Sequence, residues 1–146
     1  MRRNLVTGLI SGLLVLLFVY SAFSKLFALD NFKGTLYNQP IPHVLATQLI
    51  LLIPVVELLT AVSLLFEGTK KLGLYSAVIL LVFFTGYIAA ILLHLFHKTP
   101  CSCGGLFRHL SWEQHFWVNI LLTGLAIAAL LLRTKKSIRS PLNHHL

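Results

Sequence analysis

The sequence predicts an all-α membrane protein: a bundle of four transmembrane helices with both termini on the cytoplasmic side. Three observations carry this. Hydrophobic residues make up 57% of the 146 residues and charged residues only 11%, against about 25% charged in soluble domains, so the apolar surface exceeds what one small core can hide. The apolar residues fall into four runs, at about 5–29, 44–66, 72–96 and 116–132, near the roughly 20 residues that cross a bilayer. The basic residues gather where those runs end, as they do on membrane flanks. The 12 Lys and Arg against 4 Asp and Glu give a net charge of +8. Such an excess can serve nucleic acid, but its placement argues against that partner and for the lipid bilayer.

The first run follows Met1-Arg2-Arg3-Asn4, which resembles the start of a secretory signal with Ala22-Phe23-Ser24 as its cleavage site. A cleavable apolar core is roughly 7–15 residues. This run reaches Tyr20 before its first polar cluster and continues to Leu29, so it reads as a helix over about 5–29. Residues 30–43 hold Phe32, Leu36, Tyr37, Pro40 and Pro42. They suit a short interfacial segment, capped by Asp30, stopped by the prolines, and lying over the top of the bundle. The second helix spans about 44–66, Glu67-Gly68-Thr69-Lys70-Lys71 makes a tight turn, and the third helix spans 72–96. The fourth starts before its apolar run. Ser111-Trp112-Glu113-Gln114 reads as a capping box, giving a helix over 112–132. Residues 1–136 form a single transmembrane domain and 137–146 a flexible tail.

Orientation follows from the positive-inside rule. Arg2, Arg3, Lys70, Lys71, Arg133, Lys135, Lys136 and Arg139 fall on one side, and Lys25, Lys33, Lys98 and Arg108 on the other. The termini are therefore expected in the cytoplasm. The connection between the third and fourth helices is expected to face outward, which in a bacterial inner membrane is the periplasm, where disulfides persist.

That connection holds the only two cysteines, in Pro100-Cys101-Ser102-Cys103-Gly104-Gly105. Thiols two residues apart in a bent chain can meet the roughly 4.4–6.8 Å Cα separation of a disulfide. So tight a ring is strained, and strained disulfides suit exchange rather than stapling. Pro100, Gly104 and Gly105 supply the bend and leave the backbone open to a partner. Lys98, Arg108 and His109 favour a thiolate. Two alternatives stay open, a small structural disulfide and a metal site. His97 and His109 with Cys101 and Cys103 would give two imidazoles and two thiolates, a set fit for zinc or Cu(I). His94 and His97, three apart, would share a helix face.

Glu57 is the second candidate. It lies near the middle of the second helix, three residues after Pro54, where a carboxylate costs about 2.5–3.5 kcal/mol on insertion scales. It should face the bundle interior, with Tyr20, Ser21, Ser24 and Lys25 of the first helix as candidate partners. Counted from the outer helix ends, Glu57 is about 20 Å deep and Lys25 about 6 Å. A direct pair therefore needs shifted helix ends or a water. A polar clasp between helices and a proton or ligand site both fit. Phe83, Phe84 and Tyr87 read as packing or lipid-facing residues, Trp112 and Trp117 as an interfacial belt, and Gly8 with Gly12 as a weak small-residue pair.

Taken in order, the stretch from Phe18 to Lys25, Pro54-x-x-Glu57, Cys101-x-Cys103-Gly-Gly and Asn119 resemble the MauE family within the DoxX-like superfamily, over residues 5–132. The resemblance implies a four-helix inner-membrane protein. It also implies a role in maturing a disulfide-rich client, as for the small subunit of methylamine dehydrogenase, beside a periplasmic thioredoxin-like partner. Cys101 and Cys103 would then be the redox pair of a protein resembling a thiol–disulfide oxidoreductase, and Lys25 and Glu57 family core positions. A quinone is the one cofactor this reading leaves open. Residues 113–117 depart from the pattern, in which a basic residue is expected near Asn119.

Overall fold

The computed structural model describes residues 2–39, 41–95 and 111–139, with side chains placed for 4–39, 41–95 and 111–134. The described residues form helices α1 (Arg2–Phe27), α2 (Leu29–Tyr37), α3 (His43–Leu65), α4 (Lys70–Leu92) and α5 (Trp112–Arg139). In α1, α3, α4 and α5, segments of 23 or 24 residues have mean hydropathies of 2.0–2.2. At 1.5 Å per residue each runs about 35 Å, enough for a hydrocarbon core of roughly 30 Å. Their outward faces carry large apolar side chains such as Leu16, 71% exposed, and Phe83, 78% exposed. Such surfaces are stable against lipid, and the chain is a multi-pass membrane protein.

The four long helices pack as a ring in the order α1, α3, α4, α5, with α1 diagonal to α4. The core stripe of α1 is Thr7, Ser11, Leu14, Phe18, Ala22, at steps of three or four that keep one face toward its neighbours. Leu14 and Phe18 meet Ala61 and Leu64 of α3, Leu74, Ala77 and Leu81 of α4, and Leu122, Ala126 and Ala129 of α5. The alanines let the backbones approach, which is what drives association where lipid removes the hydrophobic incentive. Gly8 and Gly12 lie off this stripe, and a Cβ added at either would meet nothing within 4 Å, so they are not the packing pair their spacing suggested.

The close approach occurs at Gly73. A Cβ there would stand 2.8 Å from the Leu64 nitrogen and 2.9 Å from the Ser63 carbonyl carbon. Both are backbone atoms of α3 and cannot rotate away. Gly73→Ala is therefore expected to cost about 1–3 kcal/mol. Gly8→Ala and Gly12→Ala should gain up to about 1 kcal/mol from helix propensity. Melting temperatures of the three variants in one detergent check the contrast in sign.

The helix ends differ from the sequence expectation in three places. The α4 helix stops at Leu92 rather than continuing to 96. The N–H of His94 donates to the Ile91 carbonyl (3.0 Å) and that of Leu95 to the Ala90 carbonyl (3.1 Å), the two bonds of a Schellman closure. His94 takes φ 53°, a left-handed conformation that glycine normally fills. It lies beyond the end of α4, and His97, its expected neighbour on a helix face, lies outside the described residues. The apolar run continues through this closure, which hid it from a reading of hydrophobicity. The second difference is that α2 starts after Ala28, placing Asp30 in the first turn instead of at the cap, where it still favours the helix dipole. The third is that α5 runs on to Arg139.

At the far end of the bundle, the turn between α3 and α4 is more than a tight turn. Glu67 accepts from Lys70, and its second oxygen accepts from Arg133 of α5 at 2.9 Å. Arg133 also donates to the Glu67 carbonyl at 2.5 Å, and the Thr69 hydroxyl closes α3 by donating to the Ser63 carbonyl at 3.0 Å. The hydrogen bond from Lys70, then that from Arg133, lowers the Glu67 pKa from 4.5 to about 2. The native state thus binds this proton less readily than the unfolded chain. The clasp's stabilisation is complete above pH 4.5 and fades as pH falls from there toward 2. The melting-temperature gap between wild type and Glu67→Gln should be flat above that window and shrink through it. Glu67 is 73% exposed, so the gap should be small and fall with added salt.

Candidate functional site

Helix α2 explains how two residues of different expected depth come to meet. Its Phe32 and Leu36 pack on Ala46 of α3, with Leu49, Ile50 and Ile53 around them, and the Tyr37 hydroxyl lies 3.1 Å from that of Thr47. The first three turns of α3 are therefore covered by α2. The end of α1 stands level with the Pro54–Glu57 turn instead of with His43. Depths counted separately from each helix end miss this offset.

In consequence Lys25 and Glu57 pair directly. The Lys25 Nζ donates to Glu57 Oε1 at 2.8 Å and to Oε2 at 3.1 Å. Ser21 Oγ donates to Oε1 at 2.9 Å and accepts from Lys25 at 2.6 Å. The Glu57 side chain is fully buried and that of Lys25 is 13% exposed. Each carboxylate oxygen has a donor, the condition under which a buried charge is tolerated. Lys25 also lies 5.9 Å from the centre of the Phe84 ring, within cation–π reach. Pro54, one turn before Glu57, has no N–H to give the Ile50 carbonyl.

The pair forms one wall of a cavity of about 110 Å³. By the measure in which one water needs ~10–15 Å³ this is room for several. From α1, Ser24 and Tyr20 complete that wall. The Ser24 hydroxyl donates to the Ser21 carbonyl at 3.0 Å, and Tyr20 is 44% exposed. The opposite walls come from Phe84, Tyr87 and Ile88 of α4 and from Trp112, His115 and Asn119 of α5. The capping box positions the α5 wall. Ser111 N–H donates to Gln114 Oε1 at 3.0 Å and Gln114 N–H to Ser111 Oγ at 3.3 Å, as the sequence predicts, starting the helix so that residues 112, 115 and 119 face inward.

The structure thus brings together Lys25, Glu57, Ser24 and Tyr20 around one cavity. It adds Phe84, Tyr87, Trp112 and His115, which the sequence reading treated as packing, belt or departure from pattern. Their signal was available. Trp112, His115 and Asn119 are spaced three and four apart, and so share a face with the buried Asn119. Cys101, Cys103, Pro100, Gly104, Gly105, Lys98, Arg108, His97 and His109 lie outside the described residues. Their connection joins Leu95, after α4, to Ser111, before α5, at the bundle end that holds the cavity. Among the described residues no three His, Cys, Asp or Glu gather to hold a metal, and the alternative metal ligands all fall in the undescribed connection.

Comparisons with known proteins show what this chain is similar to. The family model described as methylamine utilisation protein MauE matches residues 3–132. The methylamine utilization protein MauE of Paracoccus denitrificans is 33% identical over 118 residues, covering 79% of this chain and 63% of that protein. The chain therefore spans less than two thirds of that relative's length. No solved structure matches.

Proposed function

Since this chain belongs to the MauE family, we propose that it is a component of protein maturation in the bacterial inner membrane, exchanging disulfides at the periplasmic face. Methylamine utilisation is the process its relative's name supplies, and a disulfide-rich client is the chemistry that fits. Cys101 and Cys103 form the exchanging pair, on a bend made by Pro100, Gly104 and Gly105. Lys98 and Arg108 hold the attacking sulfur as thiolate. The partner is a soluble thioredoxin-like protein. Attack of one thiolate on the other protein's disulfide forms a mixed disulfide and releases a thiolate there. The neighbouring cysteine then displaces it, leaving one protein as disulfide and the other as dithiol.

The observation that carries this reading is positional. The buried Lys25–Glu57 pair and its cavity stand at the bundle end from which the cysteine connection springs. A bundle needing only to hold together has no use for a polar cavity there. The distribution of basic residues supports the reading that this end faces outward.

Trapping tests it. Cys103→Ser, which removes the resolving thiol, should accumulate a mixed disulfide with a thioredoxin-like protein in membranes quenched with acid and alkylated. The double variant with Cys101→Ser should give none. Equal trapping in both, or none in the Cys103→Ser variant, contradicts the reading.

A further inference from the structure

We propose that the cavity beside Lys25 and Glu57 binds the head group of a membrane quinone. The proposal rests on the thiol-exchange reading for its source of electrons, but the binding site itself is lined by the four long helices and by Phe32 of α2.

Charge narrows the class of ligand. Lys25 is committed to both oxygens of Glu57, at 2.8 and 3.1 Å, so the pair is neutral as a unit. An anion would meet Glu57 as readily as Lys25, and a cation the reverse. The site favours a neutral molecule. Shape narrows it further. Phe84, Tyr87 and Trp112 stand on two of the walls and offer ring faces for a flat ligand. The cavity's space of about 110 Å³ is of the order that one six-membered ring occupies. Polar chemistry completes the match. Asn119 is 7% exposed yet faces the cavity, and its carboxamide offers donors to a carbonyl oxygen. Tyr20 offers a hydroxyl.

The route of entry identifies the source. Tyr20 lines the cavity and is also 44% exposed on a helix whose outer face meets lipid. On this reading the cavity is entered past Tyr20 from the bilayer, and the ligand is one that partitions into membranes and trails an apolar tail there. A neutral, flat, carbonyl-bearing ring on an apolar tail is a quinone. The stoichiometry agrees. Closing a disulfide from two thiols breaks two S–H bonds, forms one S–S bond and releases two electrons and two protons. One quinone takes up all four as its two carbonyls become hydroxyls.

The test uses the full chain in lipid nanodiscs, carrying Trp117→Phe so that Trp112 is the sole tryptophan, and decylubiquinone as probe. Quenching of Trp112 should saturate at one quinone per chain. Asn119→Leu, which keeps volume and removes the donors, and Ser24→Leu, which fills the cavity, should each weaken binding at least tenfold while melting near the parent's temperature. Phe83→Leu, on the lipid-facing side of α4, should bind as the parent does. Non-saturating quenching, or equal quenching in all four proteins, means that the probe only partitions into lipid and overturns the proposal. Should either cavity variant fail to fold, saturation in the parent and its loss in the other variant decide the matter. Saturable binding should persist in the Cys101→Ser, Cys103→Ser protein. Binding there with no mixed disulfide in the trapping experiment sinks the thiol reading and leaves the quinone site standing; the reverse pattern sinks the quinone site alone.

Discussion

Replacing Lys25 with Ala is expected to destabilise the folded chain by about 3–5 kcal/mol, the cost of stranding one member of a buried ion pair. Glu57 is fully buried, and after the change only Ser21, at 2.9 Å, would remain to meet its charge. Removing both charges together, as Lys25→Met with Glu57→Leu, should recover most of the loss, because the desolvation of two ions disappears with their attraction. The measurement is the apparent melting temperature, in one detergent, of four proteins: wild type, Lys25→Ala, Glu57→Leu alone and the double variant. The expected order is wild type and double variant close together, with both single variants far below. The double variant also separates structure from function. A protein that is stable yet inactive in client maturation assigns the pair to the site; one that is stable and active leaves it only a clasp between α1 and α3.

The cysteines should behave in the opposite way. Cys101→Ser, Cys103→Ser and the double variant are expected to lower client maturation about 100-fold or more, and to nearly the same floor, since residues acting as one unit do not contribute additively. Stability should stay within about 0.5 kcal/mol of wild type, as for surface changes away from packed cores. The assay is the yield of correctly disulfide-bonded client in a strain carrying each variant, with membrane levels of the variant measured beside it. Single variants that retain half the wild-type yield would mean that the bend, and not the thiol pair, is what matters.

Much of this architecture could be read from the residues alone, for a physical reason. A bilayer demands long apolar helices whose backbone bonds are satisfied internally, so span count follows from composition and run length. Glu57 and Lys25 stood out because charge at such depth is costly. What escaped the reading depends on relations between helices. The direct Lys25–Glu57 contact needs α2 to cover the start of α3, and no count along one helix reports that offset. Phe84, Tyr87 and Trp112 were missed because the apolar spans are hydrophobic all round, so an inward ring looks like a lipid-facing one. In such helices only the polar minority marks the inner face, and His115 one turn before Asn119 was that mark. The Glu67–Arg133 clasp joins residues 66 apart in sequence, beyond any local pattern. The left-handed His94 ended α4 early without the glycine that usually announces it.

Which face of the membrane the thiols occupy is the question on which the chemistry turns. Intact cells, treated with an impermeant phosphine and then with a charged, impermeant maleimide, answer it directly. The expected result is that Cys101 and Cys103 label fully in whole cells whose outer membrane has been opened, with no further gain when the inner membrane is broken. A cysteine engineered into the Glu67–Lys70 turn should label only after breakage. Labelling of Cys101 and Cys103 that also waits for breakage would place them in the reducing cytoplasm, and disulfide exchange with a periplasmic partner could not occur there.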